Sequence, residues 1–146
     1  MVVTTARRLA VTGALLLVIA IALAYLRDPA WLATETTGLR GWQQAADGTR
    51  YRWSGGHASF FVPSNASRVG FRIATTFDAS DGRPMIATVS LDDADVHRVA
   101  LTDSSWRRVE IAMPPPASRR FRRVDVRTNI VREGNRGVMI GEVDAR

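Results

Sequence analysis

No cysteine occurs in this chain, and no lysine either, so that all twenty basic residues are arginines. The first absence removes disulfides, thiolate metal sites, a cysteine nucleophile and a lipid-modified cysteine anchor, and leaves packing alone to hold the fold. Histidine is scarce, with only His57 and His97, and no Gly-x-Ser-x-Gly elbow, Walker loop or His-Glu-x-x-His motif is present. His57 lies in a Gly-Gly turn, and His97 sits one place after Val96, which reads as inward-looking, so that His97 faces solvent or an edge. The expectation is therefore of a protein that is not an enzyme; a hydrolase would need one of these histidines beside a serine and a carboxylate in a cleft. At 146 residues there is room for one domain of ordinary size.

Acidic residues are missing from the first 27 positions, and all fourteen lie beyond them. In that same region Leu9–Leu26 (LAVTGALLLVIAIALAYL) carries no charge. Eighteen helical residues reach about 27 Å, close to the roughly 30 Å hydrocarbon thickness of a bilayer, so the run reads as a transmembrane helix. Arg7 and Arg8 precede it, while Arg27 is balanced by Asp28. The positive-inside bias then assigns 1–8 to the cytoplasm, 9–26 to the span, 27–40 to a linker and 41–146 to an extracytoplasmic domain of a single-pass inner-membrane protein. A cleaved signal peptide is the alternative, since Ala22-Leu23-Ala24 before Tyr25 matches a small-residue cleavage site.

Beyond residue 40 no segment with helical periodicity appears. Short apolar alternations separated by Gly, Pro, Asn, Asp and Ser indicate an all-β sandwich or barrel. The expected strands cover 51–53, 58–62, 68–77, 85–91, 96–101, 106–113, 121–130 and 138–143. Val69, Phe71, Ile73, Thr75 and Phe77 share one face of the third, and Met85, Ala87, Val89 and Leu91 one face of the fourth. Val99 and Leu101, then Val109, Ile111 and Met113, and finally Val124, Val126 and Ile130 complete the inward set. Eight short strands suit a jelly-roll-like, galactose-binding-like sandwich better than a seven-strand immunoglobulin type.

Three constellations carry candidate chemistry. Asp78 and Asp81 share one loop and Asp92, Asp93 and Asp95 another, an oxygen-rich pattern that calcium uses but that turns use as well; no cofactor is expected, with structural calcium as the alternative. Arg119, Arg120, Arg122 and Arg123 form either a solvated edge that blunts strand pairing or a surface for an anionic partner, nucleic acid excepted for an exported domain. Trp42, Tyr51, Trp53, Phe60, Phe61 and Trp106 supply core or, where exposed, flat platforms for a sugar ring. Phe60 and Phe61 point to opposite faces of one strand, so at least one belongs to the core.

Gly41-Trp42, Tyr51-Arg52-Trp53-Ser54-Gly55, the Trp106 strand and Asn135-Arg136-Gly137-Val138-Met139-Ile140-Gly141-Glu142-Val143 carry a resemblance. Residues 41–144 resemble a small β-sandwich domain of bacterial membrane proteins that is often fused to multi-spanning glycosyltransferases of the lipid-linked sugar type. The polytopic part is absent here, so the resemblance implies a cell-envelope saccharide context without catalysis, and singles out Arg52, Trp53 and Arg136. With the aromatic set this makes Trp42, Arg52, Trp53, Trp106 and Arg136 the candidate carbohydrate-binding residues, and envelope glycan or a membrane glycosyltransferase the expected partner. A structural or interaction domain that recognises no sugar is the alternative: an exposed Trp beside Arg and a carboxylate in a concave face favours the first reading, four buried Trp the second.

Overall fold

The computed structural model describes residues 2–26, 29–77, 79, 82–116 and 118–146. Two compact units divide the chain, Met1–Ala30 and Trp31–Arg146.

The first unit is a helix, α1 (Val2–Leu26), whose described side chains run from Arg8 to Leu23 and are all exposed. Among the described residues no helix is long and apolar enough to cross a membrane. This corrects the expected span over 9–26 and, with it, the placement as a single-pass inner-membrane protein with an extracytoplasmic domain.

A 3₁₀ turn, Ala30–Thr34, leads into the second unit, whose described residues contain ten strands, all paired antiparallel. These are β1 (Thr36–Leu39), β2 (Gln43–Gln44), β3 (Arg50–Pro63), β4 (Arg68–Ala74), β5 (Met85–Leu91), β6 (Ala94–Leu101), β7 (Arg107–Ala112), β8 (Phe121–Thr128), β9 (Met139–Gly141) and β10 (Asp144–Ala145). The expected count of eight is corrected to ten. Strands expected at 51–53 and 58–62 are one continuous β3, because Ser54-Gly55-Gly56 bends the chain without interrupting it; β1, β2 and β10 are too short to show an alternation.

β3 belongs to both layers. Its C-terminal part pairs with β1 and β8 in a first sheet ordered β1-β3-β8-β5-β6, and its first residues pair with β2 and β9 in a second sheet. There β9 and β10 lie on one edge of β4 and β7 on the other. Between the layers sits one core, with Phe60, Val62, Val89, Leu91, Val124 and Val126 from the first sheet against Val69, Phe71, Ile73, Val109, Ile111 and Ile140 from the second. Phe60 and Phe71 meet edge-on across the layers, 5.7 Å between centroids. Period-2 alternation had marked nearly all of these positions. Val96 is the exception: it is exposed, because a bulge between the β5 pairs Val89↔His97 and Ser90↔Asp95 leaves it unpaired on the edge strand.

On the outer face of the first sheet, Ser59, Asp125, Ser90 and Asp95 fall in one cross-strand row. Asp125 is buried, and burial alone would raise the pKa of its carboxyl. Hydrogen bonds from Ser59 Oγ (2.7 Å), His57 Nε2 (2.8 Å) and Arg123 Nε (2.9 Å), with the Arg123 charge, outweigh that and hold it below the usual carboxylate range.

Two expectations follow from these contacts. Gly38, at the bulge in β1, has φ +69°, and an added Cβ would lie 2.0 Å from the His57 carbonyl oxygen. Gly38→Ala should therefore cost about 2 kcal/mol or more in chemical denaturation, and a loss below about 0.5 kcal/mol would show that β1 detaches freely. Asp125, depressed in the folded state, stabilises the fold above its ordinary unfolded value of 3.8, and that contribution disappears as pH falls through the lower folded value. Asp125→Asn should cost about 2–4 kcal/mol at neutral pH, with the gap to the parent chain closing in strong acid; denaturation curves that stay equally far apart from pH 7 to pH 2 would contradict this.

Candidate functional site

A type of hairpin joined through Asp47-Gly48 builds the site. Thr49 N donates to Asp47 Oδ1 at 2.9 Å, Gly48 adopts φ +85°, and the turn returns β2 alongside the start of β3. Gln43↔Tyr51 and Gln44↔Arg50 are the paired residues, which brings Trp42 beside Arg52. Alternation along β3 directs Arg50 and Arg52 to one side and Tyr51 and Trp53 to the other.

Arg52 is half-buried and clamped by three bonds: Nε to the Arg40 carbonyl (2.5 Å), Nη1 to Thr36 Oγ1 (3.0 Å) and Nη2 to the Leu39 carbonyl (3.2 Å). Its guanidinium carbon lies 5.6 Å from the centroid of the Trp42 ring and that of Arg50 5.0 Å. Two such contacts, each worth about 0.5–1 kcal/mol at a solvent-facing position, orient the indole while 48% of Trp42 stays open. Arg50 Nη1 also donates to Glu142 Oε1 at 3.0 Å, which stations a carboxylate beside the platform. Trp42, Arg52, Thr36, Leu39, Phe61 and Glu142 line a cleft of about 370 Å³, whose remaining wall includes Phe60 from the first sheet and Ile140 from the second. This joins an open aromatic face to a few fixed polar groups, the composition of a small-molecule site.

The five expected residues are not brought to one place. Trp42 and Arg52 meet in the cleft, whereas Trp53, Trp106 and Arg136 gather on the opposite face of the second sheet. Trp53 is buried there with Ala74 and Met139 under Tyr51, Phe77 and Trp106, and the Arg136 guanidinium stands 5.5 Å over its ring. Trp53 is thus covered by its neighbours, and Trp106 stays half-buried against them. Arg50, Thr36 and Glu142 were missed. Arg50 was readable, two positions before Arg52 and so on the same side of a strand; Glu142 and Thr36 join only through pairing between distant segments.

His57, Ser59 and Asp125 do come together, but without the order a nucleophilic relay requires. Ser59 donates its proton to the carboxylate, and the same Nε2 that bonds Asp125 lies 3.5 Å from Ser59 Oγ. A relay needs opposite ring nitrogens on the serine and the acid. His97 is exposed on edge strand β6.

The second acidic loop holds arginines. Asp92 bonds Arg122 Nη1 and the Arg123 amide, Asp93 bonds Arg123, and Asp95 accepts from Ser90. These carboxylates do not converge on a cation, and among the described residues no group of three or more His, Asp or Glu could hold a metal. The first loop, Asp78 and Asp81, lies outside the described residues. The same bonds commit two members of the arginine run, Arg122 and Arg123, to ion pairs within the domain.

No family model matches the chain, and no curated protein does. Among solved structures, a family two carbohydrate esterase from Clostridium thermocellum in complex with cellohexaose is similar, with TM-score 0.48, 7% identity, and 75% of this chain and 30% of that one covered. The carbohydrate-binding module CBM36 in complex with calcium and xylotriose gives TM-score 0.46 at 9% identity over 78% of this chain and 96% of that one. The sugar-binding C-terminal domain of EclA gives 0.40 at 12% identity, covering 77% and 65%. The chain spans about a third of the esterase and acyltransferase chains that it matches.

Proposed function

We propose that the sheet domain is a non-catalytic, jelly-roll-like module that binds carbohydrate of the cell envelope in the Trp42 cleft. The observation that carries this reading is a tryptophan left half open and fixed between two arginines, with a carboxylate alongside. A large aromatic ring left half open exposes apolar area that a pyranose face covers, and it offers rigid contact at little cost in conformational entropy. Arg52, its three fixed bonds made within the domain, cannot swing away and presents its remaining N–H groups to hydroxyls; Glu142 supplies acceptors. Specificity then arises from the polar groups and affinity from stacking. The noncatalytic part of the proposal is supported by the serine–histidine–aspartate geometry, in which the serine is a donor to the acid and is not activated by the imidazole.

The test is a glycan array probed with the full-length chain, followed by titration of the best neutral oligosaccharide. Trp42→Ala should weaken binding about tenfold or more while Trp42→Tyr keeps a substantial part, with the thermal midpoint of both close to the parent value. Silence across all envelope glycans, or equal affinity of Trp42→Ala and the parent, would return the module to the interaction-domain reading.

A further inference from the structure

The outer face of the second sheet holds an arrangement that the Trp42 cleft does not use. In the antiparallel register of β4 and β7, Arg72 stands directly opposite Arg108. Their chain neighbours Phe71, Ile73 and Val109 are buried in the core, so both arginines project outward, where both are exposed. Directly opposed residues have Cβ atoms about 4.5–5.5 Å apart, and like charges in that position repel. The surroundings relieve the repulsion unevenly. Arg108 Nε donates to Glu110 Oε1 at 2.8 Å, a bond that also holds the Glu110 carboxyl below its ordinary range. Arg72 makes no hydrogen bond or ion pair among the described residues and acts on Asp47 only through space.

The floor beside this pair is bare. A Cβ added at Gly70 would lie 2.9 Å from Arg108 Nη2, and one at Gly141 would lie 3.3 Å from the Cβ of Arg72. Thr49, Glu142 and Asp144 complete the rim of a hollow of about 320 Å³, within the size range of small-molecule sites.

We propose that this hollow is a second binding site and that it takes a carboxylate-bearing sugar unit, a uronic acid, with its carboxylate between Arg72 and Arg108. A planar guanidinium presents paired N–H donors that match a carboxylate, and an anion shared by two opposed arginines removes the repulsion the register imposes. Thr49, Glu142 and Asp144 face the hydroxyls, partners that a simple anion would leave unused. Arg72 and Arg108 lie on the other face of the sheet from Trp42, whereas Glu142 lines both openings and Arg50, which stacks on Trp42, also lines this one; the choice of a sugar as the carrier of the carboxylate rests on the reading of that cleft.

Titration of the full-length chain with glucuronate, galacturonate, glucose and acetate tests the assignment. Glucuronate or galacturonate should bind, more weakly as salt is raised, and glucose and acetate should bind at least tenfold less well. Arg72→Gln and, separately, Arg108→Gln should weaken uronate binding about tenfold or more with the thermal midpoint retained. Uronate binding no better than glucose, or insensitive to both arginine substitutions, overturns the site. Acetate binding as well as glucuronate overturns the sugar assignment. Neutral oligosaccharide binding that ignores Trp42→Ala defeats the cleft reading and leaves the arginine result standing.

Discussion

The passage of β3 from one layer to the other is the constraint on which the domain depends. Fourteen residues of one strand serve two sheets, and the change of layer takes place over Ser54-Gly55-Gly56. Buried Ser54 holds the crossing: its amide donates to the Val138 carbonyl at 2.7 Å, its Oγ accepts the Val138 amide at 2.9 Å, and its carbonyl accepts the Gly137 amide at 2.9 Å. Backbones come so close that a Cβ on Gly137 would fall 2.2 Å from the Gly55 carbonyl oxygen. Because the layers part at this bend, residues of both inner faces, Phe60 and Ile140, reach the same opening, and the cleft beside Trp42 is the space between them.

Arginine as the only cation shapes the rest of the surface. A guanidinium bonds a carboxylate through its edge and stacks on an aromatic through its face, and the domain uses both. Arg122 and Arg123 close the β5–β6 turn onto β8 through Asp92 and Asp93. Arg50, Arg52 and Arg136 lie over tryptophan rings. A run that reads in sequence as a free cationic edge is thus partly consumed inside the fold, while the opposed pair of Arg72 and Arg108 comes from segments 36 residues apart in sequence and is created by register.

Much of the sandwich was legible because strand alternation is local. Phe71, Ile73, Val89, Val109, Val124 and Val126 announce their burial through neighbours of opposite character, and each lies in the core. Very short strands such as β2 and β10 carry no period to read. Val96 failed because a bulge shifts the alternation by one residue, and a bulge depends on the partner strand. The apolar run at the N-terminus was legible as a helix, and α1 is one; its span of a membrane was an inference from length, which the described part of the helix does not sustain.

For the site, the sequence alone determined that no cysteine or lysine chemistry is available; Arg52 and Trp53 were expected at one ligand, although adjacent residues of a strand point to opposite sides. Which tryptophan would be open was decided by tertiary structure: Trp53 is roofed by Tyr51, Phe77 and Trp106, whereas Trp42, with two guanidinia against its ring, stays half exposed. Exposure is a property of what arrives from elsewhere in the chain, and no local pattern around an aromatic residue encodes it.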